Sequence, residues 1–334
     1  MATLYLMEQG TTVYKENLRL VVWVPDELKI EIPIREVERI LVFGNIQITT
    51  QAINACLQEK ILILFLNLSG QYKGHLWNLE SIHLGNELAQ IDKRQDTGFQ
   101  LRVSQAIVRG KLLNSKQFLL RLNRKRNLRE VDQAIAGITS DINALNTADN
   151  LDRLRGYEGI AAARYFPAFG KLITNPAFTF SLRYRQPPTD PVNSLLSFGY
   201  TLLFNNVLSL IIAEGLSPYF ANFHYGAHKK PYLAFDLMEE FRSPIVDSLV
   251  LKTLNASVFE ADDFELIASM GAVYLSDSAR RKFLEEFERR MKEEVSHPDL
   301  QSQVSYRETI QLQIRRYKLS LVHGVAYEPF LRTA

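Results

Sequence analysis

The chain has 334 residues, of which 46% are hydrophobic and 23% are charged. These proportions are typical of a soluble globular protein, and the length allows two domains with a substantial core. The formal net charge is only +2, so binding to nucleic acid would require a local basic patch. The single cysteine, Cys56, excludes an intrachain disulfide and cannot by itself build a zinc-finger site. We interpret it as a small buried hydrophobic residue.

The sequence predicts neither a targeting segment nor a membrane span. Its first residues lead directly into a strand pattern, without the basic and apolar regions of a signal peptide. The longest uninterrupted apolar run, Ile61 to Leu66, is too short to cross a bilayer. The apolar segment from Leu202 to Leu216 contains Asn205, Asn206 and Glu214, which indicates a core helix. We therefore expect a cytoplasmic protein with no membrane partner.

The first 80 residues alternate short runs of β-branched and aromatic residues with Gly and Pro turns, a pattern typical of strands. One helical pattern, Thr50 to Glu59, interrupts them. We predict a small β-sheet domain over residues 1–85, with docking or dimerisation as its role. The strands are predicted over Leu4–Met7, Thr12–Tyr14, Leu18–Val24, Lys29–Ile34, Arg39–Phe43 and Ile61–Asn67.

Beyond about residue 90 the strand signals stop and long helical patterns follow. We place a linker near residues 80–92 and predict a larger all-α domain over residues 86–334. The fold class is therefore α+β. No internal repeat is visible, which argues against a solenoid or a propeller.

A helix, or a pair of helices, is predicted over residues 101–129, where nine basic residues occur without an acid. Such a density of one charge favours binding to a polyanion, and we select Arg121, Arg124 and Arg126 as DNA contacts. An equally acceptable interpretation is a solvated face balanced by acids elsewhere, such as those at 260–265. The nine residues are Arg102, Arg109, Lys111, Lys116, Arg121, Arg124, Lys125, Arg126 and Arg129.

A second basic segment precedes a predicted helix start. Arg183 and Arg185 flank Tyr184, and Asp190 and Pro191 have the residue types of an N-cap and a first helical position. Two guanidinium groups around an aromatic ring beside a helix N-terminus suit a phosphate or an unstacked base. A loop packed on the protein surface would have the same composition.

A helix is predicted over residues 149–166, because Asp149 or Asn150 would cap it and Pro167 would end it. Its apolar residues follow the 3.6-residue period. Glu158 interrupts this stripe, since it lies four residues after one apolar position and four before another. A carboxylate thus occupies a position that the pattern assigns to the core.

An unpaired buried carboxylate costs several kcal/mol, so Glu158 should be neutralised, paired with a base, or bound to a metal. Arg155 is the nearest base in sequence. Gly156 and Gly159 flank the carboxylate, and each costs a helix interior about 1 kcal/mol. Their presence suggests that something approaches the helix backbone closely.

A third segment, Tyr232 to Arg242, has the apolar spacing of an amphipathic helix. Asp236, Glu239 and Glu240 lie at i, i+3 and i+4, so carboxylates can project from one side, and His224 lies shortly upstream. An imidazole near two carboxylates suits a divalent cation such as Mg²⁺ or Mn²⁺. A solvated acidic face is the alternative.

These segments, taken together, resemble the family of CRISPR-associated protein 1, the endonuclease and integrase of spacer acquisition. Val42–Gly44 and Lys111–Asn114 also resemble that family, so the similarity covers nearly the whole chain. The motifs occur in the order Gly156–Phe166 around Glu158, Arg185–Tyr200, Phe223–His224 and Asp236–Arg242.

The resemblance implies an N-terminal β domain, a helical catalytic domain, a homodimer and assembly with the small CRISPR-associated protein 2. It implies that Glu158, His224 and Glu239 bind the metal, the third being aspartate in some members. Asp236 is placed as a supporting acid, and Arg242 beside the cluster as a DNA contact. The implied reaction joins the 3′-hydroxyl of a foreign DNA fragment to the CRISPR repeat, and water in place of the hydroxyl gives nuclease activity.

Two other functions fit parts of the sequence. The first is a non-catalytic nucleic-acid-binding scaffold in which the acidic cluster is structural, although such a protein has no need of Glu158 on an apolar face. The second is a zinc hydrolase using His224 and His228, which is weak because no His-Glu-x-x-His helix is present.

Overall fold

The computed structural model describes residues 2–25, 29–78, 84–184, 187–226 and 230–332. Contacts between Cα atoms divide the chain into two compact units, Met1–Leu84 and Gly85–Ala334. The first unit is rich in strands and the second is mostly helical, which confirms the predicted α+β class.

Two four-stranded sheets and one helix form the described part of the first unit. One sheet has the order β1-β5-β7-β8, with β1, β5 and β7 parallel, and the other has the order β4-β3-β2-β6. The elements are β1 (Ala2–Leu6), β2 (Thr12–Glu16), β3 (Arg19–Trp23), β4 (Lys29–Pro33), β5 (Val37–Phe43), β6 (Gln47–Ile48), α1 (Thr50–Gln58), β7 (Leu62–Leu66) and β8 (Tyr72–Leu76).

The core of this unit is shared by both sheets and α1. Strands β5 and β7 are central in their sheet, and their nearly continuous apolar runs are typical of parallel strands covered on both faces. Cys56 on α1 is fully buried, as predicted. Burial raises the pKa of its thiol to about 11, so little of it is present as the reactive thiolate near neutral pH. Strand β8 was missed because Gly74 and polar residues weaken its pattern.

The second unit, as far as it is described, contains long helices and two short antiparallel strand pairs. The helices are α2 (Leu84–Gln95), α3 (Thr97–Asn123), α4 (Arg129–Ala144), α5 (Leu151–Lys171), α6 (Pro191–Ala213), α7 (Tyr232–Met238), α8 (Ser248–Asn255), α9 (Asp277–Lys292) and α10 (Tyr306–His323). The pairs are β9 (Phe264–Ile267) with β10 (Ala272–Leu275), and β11 (Glu294–Ser296) with β12 (Gln303–Ser305).

Two predictions for this region are wrong. Most of the expected linker at 80–92 is helix α2. Its apolar residues Leu88 and Ile91 are exposed, so the segment lacks the clear apolar stripe of a buried helix and its sequence resembles a polar linker. The two strand pairs also show that the domain is not purely α-helical. They are three or four residues long, and runs of that length leave little periodic signal.

Helix α5 does not end before Pro167, as the sequence suggested, but continues to Lys171. Pro167 and Ala163, the residue four positions earlier, are both exposed. The hydrogen bond that Pro167 cannot donate is therefore lost on a side of the helix that water can reach.

Helix α6 is the predicted core helix. The Asp190 side chain accepts a hydrogen bond from the Asn193 N–H (2.8 Å) and caps it, and Pro191 occupies its first turn. Its length and hydropathy would allow it to cross a bilayer, but 89% of its most apolar window is buried within the protein. It is the helix around which the second unit packs.

The C-terminal segment is tied to the interior through Glu240. The residue lies in the short 3₁₀ turn Glu239–Phe241 and is fully buried. Its carboxylate accepts hydrogen bonds from the Tyr327 hydroxyl (2.5 Å), the Phe330 N–H (2.7 Å) and the Gln313 amide (3.0 Å). The Phe330 ring stacks on Phe241 with centroids 5.3 Å apart, so the segment and the turn hold each other in place.

Burial raises the pKa of Glu240 from 4.5 to about 7, although the three hydrogen bonds oppose the change. The folded protein therefore holds this proton more tightly than the unfolded chain does. The resulting stabilisation is fully present below about pH 4.5 and is lost as the pH rises towards 7, a loss of about 3 kcal/mol.

We expect Glu240→Gln to reduce this pH dependence of the unfolding free energy, measured by urea denaturation from pH 4.5 to 8. The exposed Glu328→Gln is the control, and parallel curves for wild type and Glu240→Gln would contradict the account.

Candidate active site

Helix α5 places Glu158 at the edge of its buried face. The Asn150 side chain accepts from the Arg153 N–H (2.9 Å) and starts the helix, while Leu154 and Ala161 are fully buried. The Glu158 side chain is 18% exposed and pairs with Lys111 of α3. Arg155, the base nearest in sequence, is not its partner.

Lys111 lies at the centre of the site. Its ammonium contacts Glu158 Oε1 and lies 2.7 Å from Glu239 Oε2, with 16% of the side chain exposed. One cation thus joins two carboxylates that are 81 positions apart in sequence and come from different elements.

Glu239 is buried and ionised. Its side chain is 2% exposed, and Arg242 Nη2 lies 2.9 Å from Oε1. Burial would raise the pKa of this carboxyl, but Arg242, Lys111 and His224 lower it to about 2. Oε2 has no well-oriented hydrogen bond in the described structure, even though the Lys111 ammonium is close. An oxygen in this state can accept another cation.

His224 is fixed by Asp236. The Asp236 carboxylate is fully buried, and one oxygen accepts from the His224 N–H (2.9 Å) and lies 2.9 Å from His224 Nδ1. The other oxygen accepts from the N–H groups of Asn222 (2.7 Å) and Phe223 (2.9 Å). The second ring nitrogen, Nε2, is therefore directed towards Glu239 Oε1 at 3.8 Å.

Aromatic and acidic residues form the wall behind Arg242. Its guanidinium lies 4.7 Å from the centre of the Tyr200 ring. The hydroxyls of Tyr165 and Tyr200 donate to Asp247 at 2.7 and 2.5 Å, and burial raises the pKa of that carboxyl. A cavity of about 30 Å³ lies between this wall, Lys111 and Glu158, which is enough for a water molecule.

An irregular helix carries Glu239 and Arg242. The 3₁₀ turn leads into π-helical residues Arg242–Asp247 instead of continuing α7. Pro244 has no N–H for the carbonyl of Glu240, four residues earlier, and Asn114 Nδ2 donates to that carbonyl instead (2.8 Å). The sequence predicted one helix from Tyr232 to Arg242, so its last four residues differ from expectation. Glu240 also points away from the site, to the C-terminal segment.

The structure brings Glu158, His224 and Glu239 to one place, with Asp236 behind the imidazole. As they stand, no three acidic, His or Cys side chains among the described residues are close enough to share a metal ion, and the Lys111 ammonium lies between the carboxylates. The donor set nonetheless fits a divalent cation, since it offers two carboxylates and one imidazole.

The residues predicted to contact DNA are dispersed. Arg121 and Arg124 are exposed, whereas Arg126 Nη1 donates to the Leu172 carbonyl (2.6 Å). Arg183 donates to Asn193 Oδ1 (2.8 Å) and braces the start of α6. Arg242 belongs to the carboxylate site. Arg185 and His228 lie outside the described residues.

Of the nine cations in the basic run, Lys111 alone has an ion pair within the described ranges. The acids at 260–265 are used elsewhere, as in the contact of Asp263 with Lys282 (3.0 Å). The run is thus not neutralised by them.

Gly156 and Gly159 lie at exposed positions of α5. A Cβ placed on Gly156 or Gly159 would meet no atom within 4 Å. Nothing in the described chain uses the close approach that these glycines permit, so the space remains for a ligand.

Lys111 and Asn114 are the residues that the sequence interpretation missed as parts of the site. They fall four and seven residues after buried Ile107, inside the apolar stripe of α3. The same departure from periodicity that identified Glu158 could have identified both.

Comparisons with known proteins agree on one family. A family model described as CRISPR associated protein Cas1 matches residues 4–289. The CRISPR-associated endonuclease Cas1 1 of Moorella thermoacetica is 33% identical over 308 residues, 90% of each chain. The CRISPR-associated endonuclease Cas1 3 of Thermus thermophilus is 34% identical over 329 residues, 98% of this chain and 96% of that protein.

A solved structure of a Cas1 protein from Thermotoga maritima superposes with a TM-score of 0.83. It is 25% identical, and the match covers 99% of this chain and 100% of that chain. The resemblance drawn from the motifs is therefore confirmed, and the chain belongs to the Cas1 family of CRISPR-associated proteins.

Proposed function

We propose that the chain is a divalent-metal-dependent DNA integrase and endonuclease of CRISPR adaptation. It would join the 3′-hydroxyl ends of foreign DNA fragments to the CRISPR repeat by phosphodiester transesterification. The observation that carries this proposal is that the Lys111 ammonium joins the carboxylates of Glu158 and Glu239, while His224 Nε2 lies 3.8 Å from the other oxygen of Glu239. The relatives reported above are named endonucleases, which supports action on nucleic acid.

Glu158, His224 and Glu239 would hold Mg²⁺ or Mn²⁺. The two carboxylates and the imidazole offer oxygen and nitrogen donors to a divalent cation, which would take the place of the Lys111 ammonium. When bound, such a cation would neutralise charge at the reacting phosphate and lower the pKa of the attacking hydroxyl. Binding would require the Lys111 ammonium to move away from the carboxylates.

The other residues would position the ligands. Asp236 holds His224 Nδ1 and the preceding loop, so that Nε2 faces the site. Arg242 keeps Glu239 ionised and restrains its Oε1, and the Tyr200 ring restrains Arg242. The carboxylate and the imidazole are thus oriented before any substrate arrives, which lowers the cost of binding.

The reaction conserves the number of phosphodiester bonds. The 3′-hydroxyl oxygen of the fragment bonds to a phosphorus of the repeat, the bond to the leaving 3′-oxygen breaks, and the proton passes to the leaving oxygen. Water in place of the hydroxyl gives hydrolysis, the endonuclease reaction. Gly156 and Gly159 leave room for the DNA backbone on the exposed side of α5, and no protein nucleophile is needed.

The partners follow from the same proposal. The unpaired cations of the basic run supply contacts for the fragment and the repeat. Family membership supports a homodimer and assembly with CRISPR-associated protein 2, with the unit Met1–Leu84 in a docking or dimerisation role. We propose a cytoplasmic location, which suits one buried thiol and no disulfide.

The first test is Glu158→Ala. We expect strand transfer to fall by more than about a hundredfold, since loss of a ligand should exceed the 10- to 100-fold effect of a supporting residue. The fold should persist because Lys111 retains Glu239. The assay combines the protein, its small partner, a duplex with free 3′-hydroxyls and a supercoiled repeat plasmid, with and without Mn²⁺.

The matched control is Asp152→Asn, which removes an exposed acid from the same helix and should leave activity unchanged. The alternative of a non-catalytic scaffold predicts DNA binding without metal-dependent chemistry. If wild type binds DNA but shows no metal-dependent strand transfer or cleavage, the acidic cluster is structural. Full activity of Glu158→Ala would also refute the proposed role of this carboxylate.

Asp236 and Glu239 should differ when each is made neutral. Asp236→Asn disturbs the hydrogen bonds that orient His224, so we expect a loss of about 10- to 100-fold, partly restored by millimolar Mn²⁺. Glu239→Gln removes a proposed ligand and should be inactive at every Mn²⁺ concentration. Titration of strand transfer against Mn²⁺ compares them, and the reverse order would make Asp236 the ligand.

Removing the Lys111 ammonium tests whether it and the metal compete. In Lys111→Met the carboxylates lose a shared cation, and we expect the metal-free protein to lose roughly 1–3 kcal/mol of unfolding free energy. Mn²⁺ should then bind more tightly and restore more stability than in wild type. Calorimetry and thermal unfolding in EDTA or Mn²⁺ measure both effects. Weaker Mn²⁺ binding in Lys111→Met would show that the ammonium supports the metal instead of competing with it.

A further inference from the structure

A second cationic region lies away from the carboxylates. The C-terminal end of α3, helices α8 and α9 and the C-terminal segment enclose a cavity of about 670 Å³, here termed the α3–α8–α9 pocket. Its lining includes seven basic side chains and two acidic ones, Glu286 and Glu293. None of its lining residues borders the cavity beside Glu158.

Both acids already have partners. Glu286 lies 2.8 Å from Arg289, and Glu293 pairs with Arg290. Arg290 also donates through Nε to the Pro244 carbonyl (3.1 Å), and Arg126 donates to a main-chain carbonyl, as described above. Three of the seven cations are therefore occupied.

The other four, Arg121, Lys125, Lys252 and Arg332, have no ion pair or side-chain hydrogen bond within the described ranges. Arg121 is exposed in part, and the partial burial of its side chain, together with the nearby Arg290, lowers its pKa. Burial also lowers the pKa of Arg332, with further contributions from Arg290 and Arg121. The guanidinium groups thus repel one another, and an anion between them would remove that repulsion.

The chemistry of the pocket selects phosphate. Arginine presents a planar fork of N–H donors that matches phosphate oxygens, and lysine adds charge at variable geometry. The volume falls in the range of sites for nucleotide-sized ligands. Leu122, which is partly exposed, also lines the pocket and offers apolar contact to a base or a sugar.

We propose that the α3–α8–α9 pocket is a phosphate-binding site in which Arg121, Lys125, Lys252 and Arg332 grip either the backbone of a nucleic-acid strand or a free nucleotide. The proposal rests on the proposed function for the first source, since the strand would belong to the DNA substrate. It differs from a general basic surface because it excludes Arg124, which is exposed directly after α3 but does not line the pocket.

The test compares two double variants of equal charge change. Arg121→Glu with Lys252→Glu reverses two pocket cations, whereas Arg94→Glu with Lys292→Glu reverses two exposed cations that belong neither to the basic run nor to the pocket lining. Binding of a fluorescent single-stranded oligonucleotide is followed by anisotropy in EDTA over a range of salt. Binding of ATP is followed by calorimetry under the same conditions.

If a strand binds, the pocket variant should lose at least about tenfold more oligonucleotide affinity than the control. Its salt slope should flatten by about 1.4, the value for two single-strand phosphate contacts. If a free nucleotide is the ligand, ATP should bind wild type and control with one-to-one stoichiometry and fail to bind the pocket variant. Either result supports the site. Equal behaviour of the two double variants towards both probes overturns it.

Circular dichroism checks that each variant is folded. If the charge-reversal variant does not fold, Arg121→Gln with Lys252→Gln replaces it. Failure of the pocket is distinguishable from failure of the proposed function. Binding in EDTA does not involve the metal, and strand transfer on saturating DNA does not require the pocket. A Glu158→Ala protein should show the opposite profile, retaining binding and losing chemistry.

Discussion

The candidate site depends on one constraint, which is that the Glu239 carboxylate is buried and ionised at once. A buried charge without a partner costs several kcal/mol, so the fold must bring cations to it. Lys111 arrives from α3 and Arg242 from the next turn of the same segment. Lys111 in turn recruits Glu158 from α5. The charged side chains of these three elements thus form one ion-pair network where the elements meet.

The backbone that carries Glu239 is itself held from several directions. Pro244 has no N–H to donate to the Glu240 carbonyl. The Asn114 side-chain amide donates to that carbonyl instead, and also to the Phe330 carbonyl. Arg290 holds the carbonyl of Pro244 itself. The π-helical turn is thus supported by α3, by α9 and by the C-terminal segment. Residues far from the carboxylates in sequence therefore determine where Glu239 and Arg242 point.

Glu158 was identifiable from sequence because it breaks a helical period, and that signal is local. Lys111 breaks the period of α3 in the same way, but it stands among eight other cations, where one more lysine adds little information. The sequence does not predict the ion-pair partners of Lys111, because Glu158 and Glu239 approach it only through tertiary packing. Asp236 presents a third case. The spacing predicted the side of the helix on which Asp236 lies. Its hydrogen bonds with the N–H groups of Asn222 and His224 depend on the path of a loop, which the spacing does not predict.

The basic run divides into two roles along a single helix. Lys111 and Arg121 are ten residues apart, hence about 15 Å along the axis of α3 and about 80° around it. One therefore faces the carboxylates while the other faces the α3–α8–α9 pocket. Because both residues belong to one continuous helix, α3 fixes the separation between the residue that contacts the carboxylates and the residue that lines the pocket.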